Sequence, residues 1–229
     1  MRERSWAEYF ASLFIAAVLA LFVRSFVLTA YKVPTGSMQP TLKPGDFIFA
    51  TRFDYGLKTP WAKDDKAAKP PSLGDVVVFS YPSQPSVIYV KRVVGLPGDV
   101  IEIKYGELSI NGRAFNYTDV SEERRDDNPN PEFFKVFEES AENHKSHFIV
   151  REKAKTSPSF GPLTVPQGEV FLLGDNRDAS DDSRYWGAVP NAYIFGKVRW
   201  IWLSLDSQKK WAGDRISSVR WFRVFSTVN

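Results

Sequence analysis

From Asp46 to Trp202, glycine and proline cut this chain into short runs rich in Val, Ile and aromatic residues, a rhythm that excludes long helices there. Asp46-Phe47-Ile48-Phe49-Ala50 follows a Lys-Pro-Gly turn, and Asp75-Val76-Val77-Val78-Phe79 follows Leu73-Gly74. Val87-Ile88-Tyr89-Val90 leads into Arg92-Val93-Val94, and Asp99-Val100-Ile101-Glu102-Ile103 follows Leu96-Pro97-Gly98. Leu108-Ser109-Ile110, Asn111-Gly112 and Ala114-Phe115 form the strongest hairpin signal, because Asn-Gly suits the positive φ angles of a tight type I′ turn. Glu169–Leu173 and Lys197–Trp202 add two later strands. The fold class expected is mostly β.

Ahead of the strands lies one apolar run. Tyr9–Val23 carries no charge, and counted through Leu28 it reaches 20 residues, about the length that spans a bilayer core. Arg24 near one end can snorkel to the headgroups, while Trp6, Tyr9 and Tyr31 mark an aromatic belt at the two boundaries. A cleaved leader is the competing reading. Leu28-Thr29-Ala30 lacks the small residue a cleavage site needs at its first position, so a retained anchor is expected. Arg2 and Arg4 precede the run, which puts the N-terminus in the cytoplasm and the remainder on the outer face.

Composition narrows the chemistry. The 229 residues include no Cys, which removes disulfides, zinc fingers and thiol catalysis together. A net charge of +3 with no basic block argues against a nucleic-acid binder. His144 and His147 are the only histidines, and both fall in a densely charged stretch between Tyr117 and Ser159 that resembles an elaboration between two halves of a core. They are expected to be solvated, so a histidine triad is hard to build. A second charged stretch, Thr59–Pro71, reads as a loop.

Three segments carry potential chemistry. In Val33-Pro34-Thr35-Gly36-Ser37-Met38-Gln39-Pro40 the serine stands in a proline-stiffened loop with a glycine beside it, a setting able to hold a nucleophile in one pose. Lys91 interrupts an apolar strand, and a lysine desolvated there has its pKa driven down toward a value useful for a general base. Gly174–Gly187 alternates acids with Arg177 and Arg184. Its spacing fails a calcium loop, since aligning Asp175 places Arg177 at the third ligand position. A loop pinned by internal ion pairs and turn hydrogen bonds fits better, with Ser180 and Ser183 available to orient a neighbouring amine.

VPTGSMQPTLKPGD, YVKRVVGLPGD and GDNRDASDDSRYWGAVP, in that order, resemble the bacterial type I signal peptidases of the Ser–Lys class, and FDYGLKTP resembles a further segment of that family. The resemblance covers the anchor and the core sheet. It implies Ser37 as nucleophile, Lys91 as base, the Ser37 N–H with the Thr35 hydroxyl as oxyanion hole, and Ser180 as the group orienting Lys91. Asp175, Asp182, Arg184 and Arg92 would be scaffold ion pairs. Small apolar pockets would be built from Tyr31, Val33, Pro34, Met38, Leu42, Ile48, Tyr89 and Val90, suiting substrates that end their signal in Ala-x-Ala. Thr35 replaces an expected serine and its β-branch restricts the rotamer aimed at the oxyanion. Ala179 stands where asparagine is common.

The implied layout is a cytoplasmic N-terminus (1–8), a transmembrane anchor (9–28), a first part of the catalytic core (29–103), an inserted second β domain (104–165), and a second part of the core with an aromatic tail (166–229). That tail holds Trp200, Trp202, Trp211, Trp221, Phe222 and Phe225 interleaved with Lys and Arg, as at a headgroup zone. The expected partners are signal peptides and the bilayer of the bacterial cytoplasmic membrane, with no cofactor, metal or nucleic acid. Two alternatives share the chain's features: a conjugation-type processing peptidase, and a membrane-tethered β domain that binds without catalysis. A self-cleaving repressor of the LexA type would need a DNA-binding element in place of the apolar run.

Overall fold

The computed structural model describes residues 6–22, 28–51, 53–55, 69–142, 144–155, 157–206 and 219–228. Helix α1, Trp6–Phe22, takes up the alanine- and leucine-rich start of the apolar run. Its Tyr9, Phe10, Leu13, Phe14, Ile15 and Val18 are exposed, so they contribute nothing to the protein's own core. No helix among the described residues is long and apolar enough to cross a membrane. The expected span to Leu28 is corrected at its far end. Leu28 opens strand β1 (Leu28–Lys32), where it pairs with Thr51, because backbone bonds to a neighbouring strand hold this stretch extended. Residues 23–27, with Arg24, lie outside the described residues.

The body is β-rich. Strands β2 (Asp46–Thr51), β3 (Val76–Tyr81), β4 (Gln84–Gly95), β12 (Glu169–Leu173), β13 (Val189–Pro190), β14 (Ile194–Ser204) and β15 (Ser226–Thr227) join β1 in one eight-stranded antiparallel sheet. Its order is β1-β2-β14-β3-β4-β12-β13, with β15 on β14. The continuous apolar run of β3 is explained by burial on both faces. Val76 and Val78 pack with Val33, Met38, Leu42, Ile48, Ala50, Val198 and Ile201. Val77 and Phe79 pack with Tyr55, Val93, Val170, Leu172, Val189 and Ile194 on the other side.

Between β4 and β12 the chain builds two smaller sheets. One, ordered β11-β5-β6-β7, comprises β5 (Val100–Lys104), β6 (Glu107–Ile110), β7 (Arg113–Ala114) and β11 (Phe160–Thr164). Its β6–β7 hairpin turns at Asn111 and Gly112 with φ of 54° and 77°, the positive values that Asn-Gly tolerates. Ile101, Ile103, Leu108 and Ile110 pack with Val94, Phe171 and Leu173, fastening this sheet to the main one. The other, ordered β10-β9-β8, comprises β8 (Asn116–Asp119), β9 (Phe134–Ser140) and β10 (His147–Glu152). His147 is a second correction: it opens β10 and is buried, with Nε2 3.1 Å from Glu139 Oε2. The expected loop at Thr59–Pro71 falls largely outside the described residues.

Candidate active site

Strand β4 is exposed in its first half and buried in its second, and Lys91 is the first residue of the buried half. Desolvation follows from that position: Lys91 is 2% exposed. Burial drives its ammonium down to about 8, although Asp182, Asp181 and Asp175 pull it back up. Its Nζ donates to Ser180 Oγ at 2.9 Å. Ser183, the other hydroxyl the sequence offered, serves the scaffold instead, accepting from Leu172 N–H at 2.9 Å.

Ser37 sits on the loop between β1 and β2. Val33 N–H donates to Asp46 C=O at 2.8 Å and Gly45 N–H to Val33 C=O at 3.0 Å, which closes the loop at its base. Met38 and Leu42, both buried, anchor it to the core. Asn176 N–H donates to Ser37 C=O at 3.1 Å, and Asn176 Nδ2 to Gly36 C=O at 3.2 Å. Thr35 Oγ1 lies 3.5 Å from Ser37 Oγ.

The loop after β12 holds both groups in place. A Cβ at Gly174 would collide with Ser180 Oγ and the Ser37 carbonyl, so only glycine lets this loop fold over Ser180 and meet the Ser37 loop. The glycine flagged in the sequence was Gly36, where a Cβ would meet only the end of the Gln39 side chain. Arg92, next to Lys91, grips Asp175 in a bidentate pair at 2.8 Å to each oxygen. Burial would raise the Asp175 carboxyl, and Arg92 outweighs it and holds the group below its usual range. Thr41 Oγ1 donates to the same carboxylate at 2.5 Å, which ties the Ser37 loop to this pair. Arg184 Nε donates to Asp182 Oδ1 at 2.8 Å, and Asp182 Oδ2 accepts from Gly174 N–H at 3.0 Å. The four charges expected as scaffold are therefore two buried pairs.

Ser37, Lys91 and Thr35 open on one groove of about 500 Å³. Tyr31, Val33, Pro34, Met38, Tyr89 and Val90 line it, as does Ala179. Leu42 and Ile48 do not: both are fully buried in the cluster that contains Val33 and Met38, where they support the wall rather than form it. Lys32, Val87, Ile88 and Asp181 also line the groove and were missed in the sequence, because alternation alone does not say which loop faces a strand. Between Gln84 and Lys91, β4 pairs with β3, whereas its pairing with β12 is confined to Arg92–Gly95. The outer edge of β4 and the terminal strand β1 thus face each other across the groove.

A model of the signal peptidase family, peptidase S26, matches residues 6–203. Signal peptidase I of Pseudomonas fluorescens is 38% identical over 222 residues, covering 91% of this chain and 76% of that protein. The Pseudomonas aeruginosa enzyme is 36% identical, covering 91% of this chain and 76% of its own length. A solved signal peptidase I from Enterococcus faecalis is 30% identical across 56% of this chain and 97% of its own, with a TM-score of 0.36, too low to bear on the fold. The chain belongs to the signal peptidase family, peptidase S26. It is a serine endopeptidase that removes signal peptides from preproteins.

Proposed function

We propose that Ser37 is the nucleophile and Lys91 the general base in this hydrolysis. The observation that carries the reading is a buried lysine, held at about 8 and bonded to Ser180, that opens on the same groove as Ser37. Near neutral pH a usable fraction of such an amine is uncharged. The neutral amine takes the Ser37 hydroxyl proton as Oγ bonds to the substrate carbonyl carbon. The resulting ammonium returns a proton to the leaving nitrogen as the C–N bond breaks. Water then attacks the acyl ester, with Lys91 taking its proton and passing it to the departing Ser37 oxygen. The Ser37 N–H and the Thr35 hydroxyl are read as oxyanion donors, a role worth about 3 kcal/mol per donor in comparable sites.

A signal peptide would lie extended between β1 and the open edge of β4, adding main-chain hydrogen bonds to both. The apolar wall of Val33, Pro34, Met38 and Val90 suits small side chains, in keeping with cleavage after an Ala-x-Ala pattern. We read the run containing α1 as an anchor in the bacterial cytoplasmic membrane, with the catalytic core on the outer face. The exposed Phe10, Leu13, Phe14 and Ile15 support this, since lipid is an apolar medium that would accept them. Residues 104–165 are read as a domain inserted into the catalytic core.

The test is cleavage of an Ala-x-Ala preprotein by the detergent-solubilised full chain. Ser37→Ala and Lys91→Ala should each lower kcat by roughly three orders of magnitude or more. A Lys91→Ala protein that still cuts near the wild-type rate would remove Lys91 from the base's role. Wild-type inactivity on several such substrates would favour the specialised processing or binding-domain alternatives.

A further inference from the structure

The groove is apolar along most of its wall, and the charged residues that line it are Lys32, Lys91 and Asp181. Lys91 is buried, and Lys32 Nζ sits 5.9 Å from the centroid of the Phe47 ring on the β1–β2 side. Asp181 differs from the acids around it. Asp175 and Asp182 are buried and paired with Arg92 and Arg184. Asp181 is exposed and, among the described residues, takes part in no ion pair. Its Oδ2 accepts a long hydrogen bond of 3.4 Å from the Tyr89 hydroxyl.

Tyr89 is itself held firmly. Its ring stacks on Tyr81 with centroids 4.9 Å apart, and meets Phe79 edge-on at 6.2 Å. Lys91 Nζ lies 5.7 Å from the centroid of the same ring. Asp181 also follows Ser180, the residue bonded to Lys91. The carboxylate therefore stands at the Lys91 end of the groove, where the scissile bond lies if Ser37 and Lys91 act as proposed above.

We propose that Asp181, steadied by Tyr89, is a specificity-determining residue that favours substrates carrying Lys or Arg within the few residues flanking the scissile bond and disfavours Asp or Glu there. A carboxylate beside aromatic walls faces a lower local dielectric than one in open solvent, so it attracts a cation and repels an anion more strongly at close range. Discrimination by a repulsive charge needs no additional pocket. The effect is local, since solvent on the open side screens it beyond about 8 Å at physiological salt.

The experiment uses the detergent-solubilised full chain and a neutral parent peptide ending its signal in Ala-x-Ala. A set of variants carries a single Lys or a single Glu at each flanking position. The readout is the ratio of kcat/KM for the Lys peptide to that for the Glu peptide, position by position. Wild type should show a ratio of roughly two to five at one or two adjacent positions, the range that exposed ion pairs reach, and the ratio should shrink at high salt. Asp181→Asn should bring the ratio close to one, Asp181→Lys should invert it, and Tyr89→Phe should reduce it in part. Equal ratios in wild type and Asp181→Asn at every position would overturn the proposal. So would an Asp181→Asn protein whose pH profile moves alike on all peptides while the ratio stays put, because Asp181 would then act only through Lys91. Failure of the Ser37 assignment shows separately, as cleavage of the parent peptide that survives Ser37→Ala.

Discussion

Lys91 is the residue whose chemistry depends most on its surroundings. An ordinary lysine near 10.5 is almost wholly charged at neutral pH, whereas this one is held at about 8 by burial. If the base must be neutral, protonation removes activity as pH falls through that value. The logarithm of kcat/KM should then rise with unit slope below about 8 and level off above it, a profile measurable with one peptide substrate. A limb centred near 10 would mean that the amine is solvated in the working enzyme. The sequence placed a lysine inside an apolar run and so anticipated its desolvation. The loop's residues by themselves offered Ser180 and Ser183 alike as the orienting hydroxyl, and the family resemblance implied Ser180. The structure places Ser180 on the amine and Ser183 on the Leu172 amide.

At the scale of elements, the loop from Gly174 to Ser180 is clamped from both sides. One side is the Ser37 loop, through Asn176. The other is the three-stranded sheet. Val150 N–H donates to Asp175 C=O at 2.9 Å, and Arg177 N–H to Val150 C=O at 3.0 Å. Arg177 reaches Glu139 of β9 with two bonds of 2.6 and 2.5 Å, both side chains buried. Burial alone would raise the Glu139 carboxyl, but Arg177 and His147 outweigh it and hold it well below the usual carboxylate range. Glu139→Gln would strand the Arg177 charge in the interior, so it should destabilise the fold by about 3 kcal/mol, read as a lower urea midpoint. A midpoint shifted by only a few tenths of a molar unit would show that water reaches the site. The alternating charges of this loop announced internal ion pairing, which Asp182 with Arg184 fulfils two residues apart. Glu139 could not be found that way, because it lies 38 residues from Arg177 and meets it only when β9 packs beside the loop.

Over the whole molecule, the aromatic tail divides by environment. Trp202 packs between Phe47 and Phe49, with ring centroids 5.6 Å from each, so it serves the fold. Trp221, Phe222 and Phe225 are exposed, whereas Trp211 lies outside the described residues. If the exposed group meets headgroups, changing all three to alanine should raise KM several-fold for a preprotein embedded in liposomes and leave a soluble peptide unaffected. Equal effects on both substrates would assign these rings to the fold. The sequence by itself determined the local pieces: the strand runs between Gly and Pro, the Asn-Gly hairpin, the apolar start, and the Ser37, Lys91 and Gly174–Gly187 segments. These depend on backbone preference and periodicity, which act over a few residues. Tertiary structure alone decided that Ser183 is taken by the Leu172 amide, that Leu42 and Ile48 support the groove without lining it, that His147 is buried, and that Asp181 faces the groove. Burial and pairing are sums over neighbours from distant parts of the chain, and those neighbours exist only once the sheets are assembled.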